Sequence, residues 1–425
     1  MRRYKVYLEV GGKQVRVGEI EGNFSDDARF SYSKEYITKE ESKSISISLP
    51  IQEEPFSPER TKAFFEGLLP EGFMRKNIAA NMHFDENDYL SILYNLGKEC
   101  IGAIRINQTD EEPESCYKAI TSKQVEELAA EGTTKSTEMV IKTHLSLTGA
   151  SGKVGLYFDE KNGRWYLPCG LAPSTHIVKQ SHIRLDGIVT NEQLSMMAAR
   201  KCGIDIPESF IINIGKGNDS EVLFATKRYD RIIDKTSEKI GGLKRPFRIH
   251  QEDFAQAMGI ASFEKYEKDG QNYAEKMFET VRNNCTKPLE DQLSLWDRIV
   301  YNFALGNTDA HIKNYALIYD THMEGVSLAP AYDMLSTVIY ESATRDMSFN
   351  IGGNRNLDSI NEESFKTLAA RVGIGEKLAM KNYQNLLDRF ENAIKESAKE
   401  LQDIGFENAG HIAERILLAR KRILS

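Results

Sequence analysis

Asp309, His311, Lys313 and Asn314 fall within six consecutive positions of "GNTDAHIKNYAL", directly after an apolar run. A carboxylate and a carboxamide five residues apart can divide one task. The aspartate can accept the proton of a hydroxyl. The asparagine oxygen can hold magnesium, a hard cation that takes few protein oxygens and keeps water in its shell. His311 and Lys313, between them, can donate to phosphate oxygens. Downstream, "LAPAYDMLST" reads as a small apolar strand ending at Asp333, which would bring a second carboxylate to the same cation. Zinc is the rival use of Asp and His, yet no cysteine or second histidine stands at a ligand spacing. Together these residue types suit transfer of a phosphoryl group to a hydroxyl. A polar surface loop would also explain the spacing, so the elements around it must decide.

Two further stretches bear on phosphate. "SLTGASGK", Ser146 to Lys153, is a small-residue loop whose backbone N–H groups (Thr148, Gly149, Ala150, Ser151, Gly152) can face phosphate oxygens. It is not a Walker loop. Gly149 and Gly152 are too close together, Val154 replaces the magnesium-binding hydroxyl, and a strand follows where a helix should open. Strand, small-residue loop, strand is instead the phosphate cover of protein kinases. A plain Gly/Ser turn has the same composition. Lys179 ends the apolar strand "THIVKQ", as does a kinase lysine on the nucleotide phosphates or an ordinary edge lysine. Glu192, at the start of the helix "TNEQLSMMAARKCG", could orient that lysine or merely favour the helix N-terminus. "ATKRYDR" is placed as a hinge, where Lys227, Arg228 and Tyr229 would meet an adenine largely through backbone groups. A solvated strand end fits as well. Loop, strand lysine, helix glutamate, D-x-x-x-x-N and final aspartate occur in protein-kinase order.

The elements that must position these groups follow from periodicity. "YKVYLEV", "KQVRVGEI", "ARFSYS" and "SISISLPI" read as strands, and "SPERTKAFFEGLLP" as a helix with Ser57 as N-cap and Pro58 in the first turn. "KVGLYFD" and "RWYLPCG" form a hairpin around "EKNG". After about residue 245 the pattern is almost wholly helical. The expected fold is α+β and two-lobed, with a β-rich N-terminal half and an all-helical C-terminal lobe. The divisions fall at 1–112, 113–230 and 231–425. The acidic "NQTDEEPESC" marks a linker.

The chain has 425 residues and a formal net charge of −8, which argues against a surface built wholly for nucleic acid. No apolar run reaches membrane-spanning length, so no membrane partner is expected. The five cysteines are scattered without a CxxC pair, which points to a reducing cytoplasm.

"SLTGASGK", "PSTHIVKQ", "RIHQEDFAQAMGI", "GNTDAHIKNYAL" and "LAPAYDMLS", with the early "FFEGLLPEGFMRKNIA", resemble the HipA-type serine/threonine kinases, toxins of bacterial toxin–antitoxin pairs. The resemblance implies an ATP- and Mg2+-dependent protein kinase. In it Asp309 is the catalytic base, Asn314 and Asp333 the magnesium ligands, and Lys179 the ATP-phosphate lysine. Gln251 lines the site from the C-terminal lobe. Ser146 is the autophosphorylated residue, with Thr148 a second candidate. It also implies an aminoacyl-tRNA synthetase as substrate, a helix-turn-helix antitoxin as partner, and operator DNA bound through that antitoxin. Two departures stand out. Ser151-Gly152 replaces the family's frequent Gln-Glu, and Lys227 replaces a hinge Glu. The alternatives are a small-molecule phosphotransferase and a non-catalytic partner of antitoxin and DNA.

Overall fold

The structure is a computed structural model that describes residues 1–108, 114–131, 153–180, 185–213 and 222–424. The chain divides into two compact units that interleave along the sequence. The first comprises 1–182, 225–262 and 318–326; the second comprises 183–224, 263–317 and 327–425.

The first unit opens with an antiparallel sheet in the order Arg29–Tyr32, Lys13–Gly22, Arg2–Val10, Ile104–Asn107. Alternate residues Tyr4, Val6 and Leu8 face its core, joined by Ile20 and Phe30. The helix Pro58–Glu66 packs Phe64 and Phe65 there, and Phe30 stacks on Phe56 and tilts against Phe65. Ser57 caps this helix as its sequence predicts, accepting from the Arg60 N–H. A second antiparallel run follows in the order Cys116–Ala119, Arg164–Cys169, Lys153–Asp159, His176–Gln180.

One predicted strand is absent. "SISISLPI" forms only an isolated bridge between Ser46 and Leu49. Its alternating serines do not line a solvent face. The hydroxyl of Ser46 donates to the buried Glu252 carboxylate, and that of Ser48 to the Gln256 carbonyl. Side-chain bonds to the interior thus replace a ladder. Glu252 also accepts from the Tyr319 hydroxyl and the Ile47 N–H, and burial pushes its pKa up to about 7.

Among its described residues the second unit is built on the helices Ile188–Lys201, Tyr273–Asn284, Pro288–Leu305, Glu362–Val372, Glu376–Asp403 and Asn408–Leu424. The helix Glu376–Asp403 buries Ala379, Tyr383, Leu386, Phe390, Ala393, Ile394 and Leu401, a stripe at helical spacing. Trp296 and Phe303 project from Pro288–Leu305 onto Phe365, and Tyr301 from the same helix onto Phe390. The C-terminal half is not all helical. Asp346–Ile351 and Asn354–Asn356 pair as a hairpin in the second unit, and short strands also run at Phe247–Arg248, Gln251–Asp253, Ala316–Tyr319 and Val326–Leu328. These strands are short or carry polar residues, which left their period weak in the sequence.

Candidate active site

The second unit positions Asp309 by ending a buried helix sharply. Pro288–Leu305 stops at Gly306 in the left-handed region, φ +68°, and the chain turns back at once. A Cβ at that position would lie 2.3 Å from Val338 Cγ2, so both the backbone and the space require glycine. Buried polar residues then hold the turn. Asn307 Nδ2 donates to Asn302 Oδ1 at 2.9 Å, and the Thr308 N–H donates to Thr337 Oγ1 at 2.8 Å. The Ser348 hydroxyl donates to the Thr308 carbonyl at 2.7 Å. The next residue, Asp309, is exposed while its flanks are buried. Its carbonyl accepts from the His311 N–H at 2.8 Å and from Asn314 Nδ2 at 2.9 Å. The six-residue motif is therefore closed on itself, with the carboxylate aimed outward. His311 and Lys313 are both buried, and a 3-10 turn spans Ile312–Asn314.

Asp333 reaches the same loop, but not from a strand. The strand Val326–Leu328 has already ended, and Asp333 lies in irregular backbone at φ +55°. A non-glycine residue held there stores strain that its surroundings must impose. Two bonds do so: Asn307 Nδ2 donates to the Asp333 carbonyl at 3.2 Å, and the Tyr332 hydroxyl donates to the Lys313 carbonyl at 2.8 Å. Asn307 thus bridges the Asp309 turn and Asp333. Among the described residues no group of three His, Cys, Asp or Glu side chains stands within reach of one metal ion.

Glu192 belongs to the second unit and is buried, but it does not open its helix. Ile188–Lys201 begins four residues earlier behind Gly187, so Glu192 sits in the second turn, beyond the N-terminal dipole. Asn191 is buried within the helix, where its amide donates to the Ser336 carbonyl at 2.8 Å and its oxygen accepts from the Ser336 N–H.

In the first unit, Lys153 and Lys179 are directly opposed across two antiparallel strands. Directly opposed residues of an antiparallel pair project from the same face, so the two lysines share one side of the sheet. Lys153 is buried and Lys179 half-buried. Ser146, Thr148, Gly149, Ala150, Ser151 and Gly152 lie outside the described residues.

At the proposed hinge, Lys227 pairs with Glu160 at 2.9 Å on the surface. Arg228 is engaged elsewhere: its guanidinium, 3% exposed as a residue, bonds both oxygens of Asp230 and reaches Glu99 at 3.4 Å. Its N–H donates to the Thr175 carbonyl. Its side chain is therefore not presented to a ligand. The Tyr229 hydroxyl donates to the buried Gln251, whose amide donates to Asp230 at 3.3 Å. Gln251, expected in the C-terminal lobe, falls in the first unit, where its bonds to Tyr229 and Asp230 brace the hinge.

The sequence reading missed Tyr266. Its hydroxyl donates to Asp309 Oδ1 at 2.5 Å, and its ring stands edge-on to His311 with centroids 5.3 Å apart. Beside this pair lies a cavity of about 430 Å³, lined by Thr308, Asp309, Thr337, Tyr340 and Met347 among others. Nothing local marks Tyr266, which stands 43 positions before the aspartate.

Known proteins match along most of the chain. A model of the HipA N-terminal domain matches residues 8–107, and one of the HipA-like C-terminal domain matches residues 145–397. The Sinorhizobium fredii protein Y4mE is 30% identical over 414 residues, covering 94% of this chain and 95% of its own. The serine/threonine-protein kinase toxin HipA of Shewanella oneidensis is 24% identical, covering 96% and 94%. The fold matches HipA in a solved complex from that organism with HipB and operator DNA, with a TM-score of 0.79 at 22% identity over 99% of this chain and 97% of that one. With the family match spanning well over half of its length, this chain belongs to the HipA family of kinases.

Proposed function

We propose that this chain is an ATP-dependent serine/threonine-protein kinase acting as the toxin of a toxin–antitoxin pair. The observation that carries the reading is the self-closed Asp309–Asn314 turn, which aims one carboxylate outward beside a cavity. In the proposed reaction the substrate hydroxyl oxygen bonds the γ-phosphorus while the bond from phosphorus to the bridging oxygen breaks. ADP leaves, and the hydroxyl proton passes to Asp309. The transition state is loose, so the residues act by positioning and by stabilising charge.

Asn314 uses its amide N–H toward Asp309, which leaves its oxygen as the acceptor, and Asp333 brings a carboxylate. Two hard oxygen donors fit Mg2+, which completes its shell with phosphates and water. Bound there, the ion would neutralise charge on the phosphates. Lys153 and Lys179 together favour a polyanion, consistent with Lys179 as the phosphate lysine. Lys227 and Tyr229 would meet the adenine through backbone groups. Autophosphorylation at Ser146, with Thr148 second, is part of the proposal. So are an aminoacyl-tRNA synthetase as substrate, a helix-turn-helix antitoxin as partner, and operator DNA reached through it. The Shewanella oneidensis complex with HipB and operator DNA supports the partnership.

The test is Asp309→Asn with radiolabelled ATP. Transfer to serine or threonine should fall by at least about a hundredfold, the usual contribution of a positioned base, while ATP still binds. Undiminished transfer would overturn the assignment.

A further inference from the structure

Within the second unit, the Asp309 carboxylate already has a hydroxyl on it. Tyr266 donates to Oδ1 at 2.5 Å, the bond that an incoming serine or threonine would have to make. The backbone that carries Tyr266 is tightly held. Its neighbour Glu267 is buried and accepts from the Asn350 N–H and Nδ2 at 2.8 and 2.7 Å. The Glu267 N–H donates to the Ser348 carbonyl, and its own carbonyl accepts from Arg355 at 2.7 Å. The Tyr273 hydroxyl donates to the Glu264 carbonyl on the other side. The side chain is more open: Tyr266 is 45% exposed, forms one wall of the 430 Å³ cavity that Asp309 also lines, and meets His311 only ring edge to ring beside its bond to Asp309. A fixed main chain with an exposed ring makes a part that can swing aside without unfolding anything.

We infer that Tyr266 is an internal mimic of the acceptor hydroxyl. It occupies Asp309 at rest and is displaced by a serine- or threonine-bearing polypeptide, whose adjoining residue enters the cavity behind it. This rests on Asp309 being the catalytic base. A displaceable hydroxyl suppresses transfer to water, because water must compete with a tethered group for the same carboxylate. It also sets a threshold that only an acceptor held by further contacts in the cavity can pass. The phenol is a positioning residue and takes no part in the transfer itself.

The experiment compares wild type, Tyr266→Phe, Tyr266→Leu and Asp309→Asn as full chains with MgATP, reading ATP hydrolysis and phosphorylation of dephosphorylated casein. Tyr266→Phe keeps the cavity wall and loses only the hydroxyl. Its hydrolysis should rise by roughly three- to tenfold and the KM for casein should fall by a similar factor, the size of one partly exposed charge-assisted hydrogen bond. The kcat for casein and the KM for ATP should hold. Hydrolysis alone carries the comparison if casein is refused. Tyr266→Leu should raise hydrolysis too while weakening casein binding, since the wall is gone. A lower kcat in Tyr266→Phe would make the tyrosine an organiser of Asp309 and overturn the inference, as would unchanged hydrolysis and KM. Phosphotyrosine at 266 would overturn it as well, making the residue a substrate. Asp309→Asn separates the two ideas: if it stays active, the base assignment fails; if it is dead while Tyr266→Phe behaves as wild type, only the mimic fails.

Discussion

Glu99 offers a perturbation whose size can be worked from the structure. It lies between the helix Tyr89–Leu96 and the strand Ile104–Asn107, fully inside the first unit. Its oxygens accept from Arg231 at 2.9 Å, from Arg248 at 2.5 and 3.0 Å, and from Arg228 at 3.4 Å. Asp230 and Glu9 complete the buried cluster, Asp230 on Arg228 and Arg231, and Glu9 on Arg248 and Arg245. Burial by itself pushes the Glu99 carboxyl up, but the guanidiniums of Arg231, Arg248 and Arg228 overcome that and hold it at about 2, against 4.5 ordinarily. That depression corresponds to about 3 kcal/mol. Removing one partner of a buried ion pair costs about 3–5 kcal/mol, because the opposite charge is left without compensation. Glu99→Gln should therefore destabilise the first unit by about 3 kcal/mol. Urea unfolding followed by Trp165 fluorescence, with Trp296→Phe in the background, reads that unit alone. The pH arm has a defined sign. The folded carboxyl titrates below the unfolded one, so its stabilisation is present above about pH 4.5 and is lost as the pH falls towards 2. Wild type should lose stability steeply across that window and Glu99→Gln less so. Transitions of the two proteins agreeing within about 0.5 kcal/mol at pH 7 would refute the reasoning, since the cluster would then contribute no more than a surface pair.

Two further outcomes test the active-site loop. Gly306→Ala forces a side chain into φ +68° and against Val338, so it should cost about 1–3 kcal/mol and lower kcat with ATP affinity retained, measured by thermal melting and steady-state kinetics. Asp333→Asn keeps a residue that tolerates the left-handed region while removing a charge, so the backbone at φ +55° should be retained. The Mg2+ concentration for half-maximal transfer should rise by about tenfold or more; an unchanged requirement would exclude Asp333 as a ligand.

Local features were legible in the sequence for local reasons. The Ser57 cap and the helical period of Glu376–Asp403 are both set by residues within a turn or two of one another. The contiguous Asp309–Asn314 motif likewise closes through its own bonds. Where the reading failed, distant partners had intervened. "SISISLPI" has strand alternation, yet Glu252 and Gln256, some 200 positions away, take its hydroxyls. The Arg228 guanidinium is likewise drawn to Glu99, 129 positions away in the chain.

By itself, then, the sequence determined which segments are helix or strand wherever one period dominates, and it determined the order of the chemical motifs, because both depend on short-range sterics and spacing. Only the tertiary structure decided which polar side chains are already engaged. It set Asp333 in strained backbone rather than on a strand, drew Gln251 into the first unit, and brought the Tyr266 hydroxyl to Asp309. A hydrogen bond across 43 residues depends on how the chain packs, and packing leaves no period in the sequence by which to find it.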